Sequence, residues 1–189
     1  MDIILASGSP RRRELLNAAG LTDFKICPAT GDELAPEGLS PEELVKYLSR
    51  NKAEEVAGGH SGAVIIAADT VVCVEGRVLG KPRDEEDAFN MLRSLSGRTH
   101  EVYTGVTVIY GDKTLCSAEC TRVFFRELSD DEIRAYIATG EPMDKAGAYG
   151  IQGRASLMVE KIDGDYFNVM GLPLCRLGKM LASIGVRLL

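Results

Sequence analysis

The chain has 189 residues, enough for one large domain or two small lobes around a substantial core. Hydrophobic residues make up 45% and charged residues 26%, as in an ordinary globular protein, and no run approaches the ~20 apolar residues that a membrane span needs. The net charge of -6 argues against a nucleic-acid coat but permits a small anionic ligand in a local basic pocket.

The cysteine and histidine content limits which kinds of catalysis are expected of this chain. Five scattered cysteines without C-x-x-C spacing, and an N-terminus without the pattern of a secretory signal, predict reduced thiols and a cytoplasmic location. With only His60 and His100 present, histidine-based nucleophilic catalysis is disfavoured. Carboxylates, lysines and a metal ion are the better candidates for catalysis.

The first predicted elements are a strand, a turn and a helix. The apolar run Ile3-Ile4-Leu5-Ala6 leads into Ser7-Gly8-Ser9-Pro10 and three arginines, with Ser9 as the predicted N-cap. At about 100° per residue, Arg12 falls within the apolar stripe of this helix, Arg11 lies on its flank and Arg13 points away. We expect a polyphosphate at this helix N-terminus. A basic first turn that is simply solvated is the alternative.

Helices and strands alternate through the next part of the sequence. A capping box at Ser40 opens a predicted helix that continues to about Ala57. The elements predicted after it are a buried strand from Ala63 to Val74, a hairpin turn at Glu75-Gly76, a strand over Arg77-Val78-Leu79 and a helix capped by Asp84.

Strands cluster in the second half. The elements predicted there are strands from Glu101 to Tyr110 and from Leu115 to Arg126, a helix from the capping box at Ser129 to about Thr139, a glycine-rich loop from Gly140 to Gly153, a strand from Ser156 to Ile162 and a helix from Pro173 to Ile184. This order favours a mixed α/β sheet flanked by helices over a purely parallel sheet.

Two charged residues interrupt apolar patterns. Asp69 lies in the middle of Val64 to Val72, where an ionised carboxylate costs several kcal/mol unless a cation or hydrogen-bond donors compensate it. Lys52 falls within the inward stripe of its helix. A metal ligand or general base is favoured for Asp69, with a structural Asp as the alternative, and Lys52 could instead extend its amine outward.

Together with Lys81, the inward arginines and Glu33, these residues form the set that metal-assisted phosphoanhydride hydrolysis needs. The loop from Asp144 to Gly153 has three glycines at a spacing of three, which let backbone approach a ligand, and Gln152 can read a base edge. A purely structural loop with turn glycines is an equally good interpretation of that pattern.

Six motifs, in this order, make the chain resemble the Maf family of nucleoside triphosphate pyrophosphatases. They are Ala6-Ser7-Gly8-Ser9-Pro10-Arg11-Arg12, Ala68-Asp69-Thr70-Val71-Val72, Gly80-Lys81-Pro82, Ser96-Gly97-Arg98-Thr99-His100, the loop Asp144 to Gly153 and Val169-Met170-Gly171-Leu172-Pro173. The resemblance covers essentially the whole chain. Thr70 and the loop make it similar to the branch that acts on dTTP and UTP rather than on 7-methyl-GTP.

The resemblance implies a single domain over 1–189 with two lobes around a central cleft, related to the inosine triphosphatase architecture and forming a homodimer. It implies cleavage of a pyrimidine nucleoside triphosphate between its α and β phosphates with Mg²⁺ or Mn²⁺. From the charge and the lack of a long apolar run, no nucleic-acid or membrane partner is expected. The roles it assigns are general base for Asp69, metal binding for Glu33 with Asp69, phosphate binding for Ser7, Arg12 and the catalytic lysines Lys52 and Lys81, and base preference for Arg11, Thr70 and Gln152.

Two other classes remain open. One is a nucleotide-binding regulator of septation that acts by protein contact without turnover. The other is a dinucleotide-dependent oxidoreductase, which is disfavoured because no Gly-x-Gly-x-x-Gly follows the first strand.

Overall fold

The strands form one mixed sheet in a computed structural model that describes residues 1–31 and 33–189, so that Asp32 lies outside the described residues. In chain order they are β1 (Ile3–Leu5), β2 (Lys25–Ile26), β3 (Val64–Val74), β4 (Arg77–Leu79), β5 (Thr99–Tyr110), β6 (Lys113–Phe125) and β7 (Val159–Asp163). The sheet order is β2-β1-β3-β5-β6-β7, with β4 paired to β3. β1 is parallel to β2 and β3, whereas the β3–β4 and β6–β7 pairs are antiparallel. The predicted mixed sheet is confirmed.

The first four helices begin directly after the residues predicted as caps, although the Ser9 side chain makes no capping hydrogen bond to the first of them. The helices are α1 (Pro10–Ala18), α2 (Pro41–Ala57), α3 (Glu85–Leu95), α4 (Asp130–Ile137), α5 (Tyr166–Met170) and α6 (Leu174–Ser183), with 3-10 helices at Glu141–Asp144, Ala146–Ala148 and Gly153–Leu157. Complete capping boxes form at Ser40 and Ser129, and the Asp84 side chain accepts a hydrogen bond from the Asp87 N–H. Each of these three caps satisfies amides that would otherwise lack an intrahelical partner.

One predicted strand begins too early. The sequence predicts a strand from Ser156, but Ser156 lies in the 3-10 helix Gly153–Leu157 and β7 starts at Val159. The Ser156 hydroxyl donates to the Gly153 carbonyl at 2.6 Å, a local bond that favours a tight turn over an extended strand.

The chain divides into two compact units, and the division falls within β3. Unit 1 comprises Met1–Asp69, Thr104–Glu119 and Gly171–Leu189, and unit 2 comprises Thr70–Tyr103 and Cys120–Met170. The predicted cleft between two lobes stays a prediction.

In unit 1, α2 packs directly on the sheet. Ala53 and Val56 of α2 share a buried cluster with Ile65 and Ala67 of β3. At Gly105 of β5 the approach is so close that a Cβ would lie 2.1 Å from the Val45 carbonyl oxygen, which only glycine avoids. The shared cluster places the inward face of α2 against β3, the strand that carries Asp69.

Candidate functional site

Arg12 is tied to the turn between β1 and α1. Ser9 has extended backbone angles and Pro10 opens the helix, as predicted, so Arg12 lies in the first turn. Its Nη1 donates to the Ser7 hydroxyl at 3.1 Å, and its Nε donates to the Gly171 carbonyl oxygen at 2.8 Å. These two bonds fix the plane of the guanidinium fork beside the buried Ser7.

The electrostatic environment of Arg12 combines burial, repulsion and attraction. Burial is the main cause that lowers the pKa of Arg12, the charge of Arg11 lowers it further, and the carboxylates of Asp69 and Glu33 oppose the shift. Arginine stays protonated in proteins, so two adjacent guanidinium charges persist at a helix N-terminus, which the helix dipole disfavours. A bound anion would relieve both effects.

Asp69 meets Lys52 at the centre of the site. Asp69 is only 7% exposed on β3, and its Oδ1 accepts a hydrogen bond from Lys52 Nζ at 2.5 Å. Lys52 reaches it from α2 with a side chain that is 18% exposed, which agrees with the predicted inward orientation. The ammonium supplies the compensating cation that a buried carboxylate requires.

Glu33 completes this cluster. Its Oε1 lies 2.6 Å from Lys52 Nζ, so two carboxylates converge on one ammonium group. The Glu33 side chain is 61% exposed, in contrast to Asp69. The structure therefore brings together Ser7, Arg11, Arg12, Glu33, Lys52 and Asp69 in unit 1.

The donor set fits a hard divalent cation only in part. Within residues 1–31 and 33–189, His, Cys, Asp and Glu side chains form no group of three that could hold a metal ion. Mg²⁺, however, is commonly bound through one or two carboxylates, with water and substrate phosphates as the remaining ligands. Asp69 and Glu33 match that two-carboxylate pattern.

Three predicted site residues belong to unit 2. Thr70 is half-buried on β3, whereas Lys81 and Gln152 are exposed. The Gly147 N–H donates to the Gly80 carbonyl at 3.0 Å, so the turn that carries Lys81 touches the glycine-rich loop that carries Gln152.

Backbone geometry in this loop is unusual. Gly147 has φ +68°, and a Cβ there would lie 2.8 Å from Cγ2 of Val72, so glycine is required. The next residue, Ala148, is buried with φ +59°, a conformation that costs a non-glycine residue free energy. Strain of this kind clusters at ligand-binding segments, which favours the functional interpretation of the loop.

Sequence reasoning missed one member of the site in unit 1. The Gly171 carbonyl orients Arg12 although 159 residues separate the two. Gly171 belongs to one of the six motifs that carry the family resemblance, but a backbone acceptor has no side-chain signature in the sequence.

Comparison with known proteins places the chain in a family. The family model described as Maf-like protein matches residues 2–184. The chain belongs to the Maf family. Maf relatives of nearly equal length include a protein from Pelotomaculum thermopropionicum, 53% identical over 190 residues, covering 100% of this chain and 99% of the relative. Another, from Carboxydothermus hydrogenoformans, is 54% identical over 187 residues, covering 98% and 100%. Both relatives are named dTTP/UTP pyrophosphatase.

Solved structures resemble this Maf chain only partially. The Staphylococcus aureus Ham1 protein superposes with a TM-score of 0.46 at 16% identity, over 66% of this chain and 72% of that chain. In the part of the chain that the structure describes, no helix is long and apolar enough to cross a membrane.

Proposed function

We propose that this protein hydrolyses dTTP and UTP between the α and β phosphates, releasing a nucleoside monophosphate and pyrophosphate. The observation that carries the proposal is full-length identity above 50% to relatives named dTTP/UTP pyrophosphatase. The cluster of Asp69, Lys52, Glu33 and Arg12 supports it, because it pairs a buried carboxylate with cations beside a helix N-terminus.

Asp69 is the general base in this proposal. Water attacks the α phosphorus, Asp69 accepts the proton of that water, and the bond to the bridging oxygen breaks so that pyrophosphate leaves. Lys52 holds the Asp69 carboxylate in a single orientation through the 2.5 Å bond. The ammonium of Lys52 also stabilises negative charge that develops on the phosphate oxygens.

Arg12 and Ser7 bind the phosphates. The Gly171 carbonyl and the Ser7 hydroxyl orient the guanidinium before a ligand arrives, which lowers the entropy cost of binding. Lys81 contributes a further phosphate contact, and Arg11, Thr70 and Gln152 set the preference for a pyrimidine base.

Asp69 and Glu33 would hold Mg²⁺ or Mn²⁺ together with the triphosphate. When bound, such an ion offsets phosphate charge and favours departure of pyrophosphate. We also propose a homodimer in the cytoplasm, which light scattering and fractionation would test.

Turnover is tested by incubating the protein with Mn²⁺ and dTTP, UTP or 7-methyl-GTP and quantifying pyrophosphate and monophosphate. We expect hydrolysis of dTTP and UTP in preference to 7-methyl-GTP. Asp69→Asn should reduce kcat by about 10²- to 10⁴-fold while nucleotide still binds. Nucleotide binding by the unmodified protein without turnover of any triphosphate would instead support a regulator of septation.

A further inference from the structure

Glu55 makes a three-bond contact with the turn that precedes Glu33. The Thr30 N–H donates to Glu55 Oε1 at 2.7 Å, and the Thr30 hydroxyl donates to the same oxygen at 3.1 Å. The Gly31 N–H donates to Glu55 Oε2 at 3.1 Å. Both carboxylate oxygens are therefore used to hold backbone that is 24 and 25 residues distant in sequence.

The contact with Glu55 leaves no room for a side chain at position 31. A Cβ at Gly31 would lie 2.8 Å from Glu55 Oε2, closer than real Cβ atoms approach an oxygen. Any larger residue would displace the carboxylate from the Gly31 amide. The two hydrogen-bonded amides lower the pKa of Glu55, so the carboxylate is ionised at neutral pH and its bonds are charge-assisted.

Lys52 and Glu55 of one helix bind residues that lie close together in the sequence. They are three residues apart on α2, so their side chains are neighbours on the helix surface. Glu55 holds residues 30 and 31, and Lys52 binds the Glu33 carboxylate. The Lys52–Glu33 pair engages the Glu33 side chain alone, whereas the Glu55 carboxylate binds the backbone amides of Thr30 and Gly31.

We propose that Glu55 is a positioning residue for the nucleotide site, which holds Thr30 and Gly31 so that the Glu33 carboxylate stays beside Lys52 and Asp69, where a metal ion that accompanies the triphosphate would bind. This inference rests on the proposed function. Glu55 touches neither substrate nor metal in this account. It acts through Thr30 and Gly31, as residues that orient metal ligands commonly do.

The test compares Glu55→Gln and Gly31→Ala, which disrupt the same contact from its two sides, with Glu54→Gln on the same helix. Gln retains one acceptor oxygen but presents an NH₂ group to the other donor. The first measurement is amide hydrogen exchange at Thr30 and Gly31. The second is binding of Mn²⁺ with α,β-methylene-dTTP, followed by electron paramagnetic resonance. The third is the Mn²⁺ dependence of dTTP hydrolysis.

Glu55→Gln and Gly31→Ala should accelerate exchange at these amides and weaken Mn²⁺ binding in the nucleotide complex by about 10-fold. At saturating Mn²⁺, kcat should stay close to that of the unmodified protein. Glu54→Gln should change none of these quantities. Faster exchange with unaltered Mn²⁺ affinity would reduce Glu55 to a structural role and overturn the proposal.

The three measurements distinguish failure of this proposal from failure of the proposed function. A protein that binds Mn²⁺ and the analogue but hydrolyses no triphosphate refutes the pyrophosphatase activity, and the effect of Glu55→Gln on Mn²⁺ binding still decides the role of Glu55. A protein that binds neither overturns both.

Discussion

The two units bury polar groups in opposite ways. In unit 1, Asp69 is buried as an ion and is matched by the ammonium of Lys52. In unit 2, His100 is only 1% exposed, and the one hydrogen bond that its imidazole makes among the described residues joins Nε2 to the Tyr149 hydroxyl at 2.7 Å. Burial lowers the pKa of His100 to about 4 and raises the pKa of Tyr149, so both are neutral at neutral pH.

This difference distinguishes charged residues that can act on a ligand from neutral residues that stabilise the fold. Buried charges that pair with one another remain available to a charged ligand, at a free-energy cost that hydrophobic residues would avoid. The neutral pair in unit 2 instead packs edge to face with Phe125, whose ring centroid is 4.9 Å from that of His100 and 4.8 Å from that of Tyr149. This arrangement anchors the glycine-rich loop to β5 without a buried ion.

The largest effect is expected from breaking the ion pair in unit 1. Lys52→Met leaves the Asp69 carboxylate buried without its ammonium partner and should lower the free energy of unfolding by about 3–5 kcal/mol. Glu33→Gln removes the exposed half of the cluster and should cost less than about 1 kcal/mol. Urea unfolding at neutral pH measures both.

The informative quantity is the difference between the losses of unfolding free energy in Lys52→Met and Glu33→Gln. Because Lys52→Met removes the pairs with both Glu33 and Asp69, equal losses of stability would mean that the Lys52–Asp69 pair adds nothing beyond the Lys52–Glu33 pair. In that case the distinction between a buried charged cluster and its exposed edge would be wrong.

Long patterned segments allowed most of the fold to be predicted. The strand β3 has 11 residues and the helix α2 has 17, which is long enough for a regular pattern of buried residues to be recognised. Capping residues mark the starts of α2, α3 and α4. β2 and α5 were not predicted, because a strand of two exposed residues and a helix of five are too short to show a period.

The site was predictable where a residue broke a pattern. Asp69 and Lys52 are charged at positions where packing favours apolar groups, and each stands out for that reason. Glu55 lies on the polar face of an amphipathic helix, so nothing in its local sequence distinguishes it from Glu54. The His100–Tyr149 bond spans 49 residues, and only the folded chain shows it.

Acid should destabilise unit 2 through His100. Its folded pKa of about 4 lies below the ordinary 6.5, so between these values the unfolded chain binds a proton that the folded chain excludes. Stability is therefore lost as pH falls from 6.5 towards 4, by about 3 kcal/mol in total. His100→Gln removes this contribution, and the difference in unfolding free energy between the two proteins should shrink by that amount over this range.

Taking the difference in unfolding free energy at each pH removes the contribution of carboxylates that titrate alike in both proteins. Chemical unfolding at closely spaced pH values from 7 to 4 supplies the curve. A difference that stays constant would show that His100 gains access to solvent before the protein unfolds.

A smaller effect than that of Lys52→Met is expected from Tyr149→Phe, which keeps the ring packing and removes one hydroxyl. His100 Nδ1 meets no hydrogen-bond partner within the described chain, so loss of the Tyr149 hydroxyl leaves both ring nitrogens unsatisfied. Either tautomer then buries an unpaired group, at a cost of about 1–3 kcal/mol. Tyr166→Phe, at an exposed ring, is the matched control and should have no measurable effect on stability. If Tyr149→Phe were equally silent while His100→Gln still altered the acid response, burial alone would govern His100, and the hydroxyl would not anchor the loop.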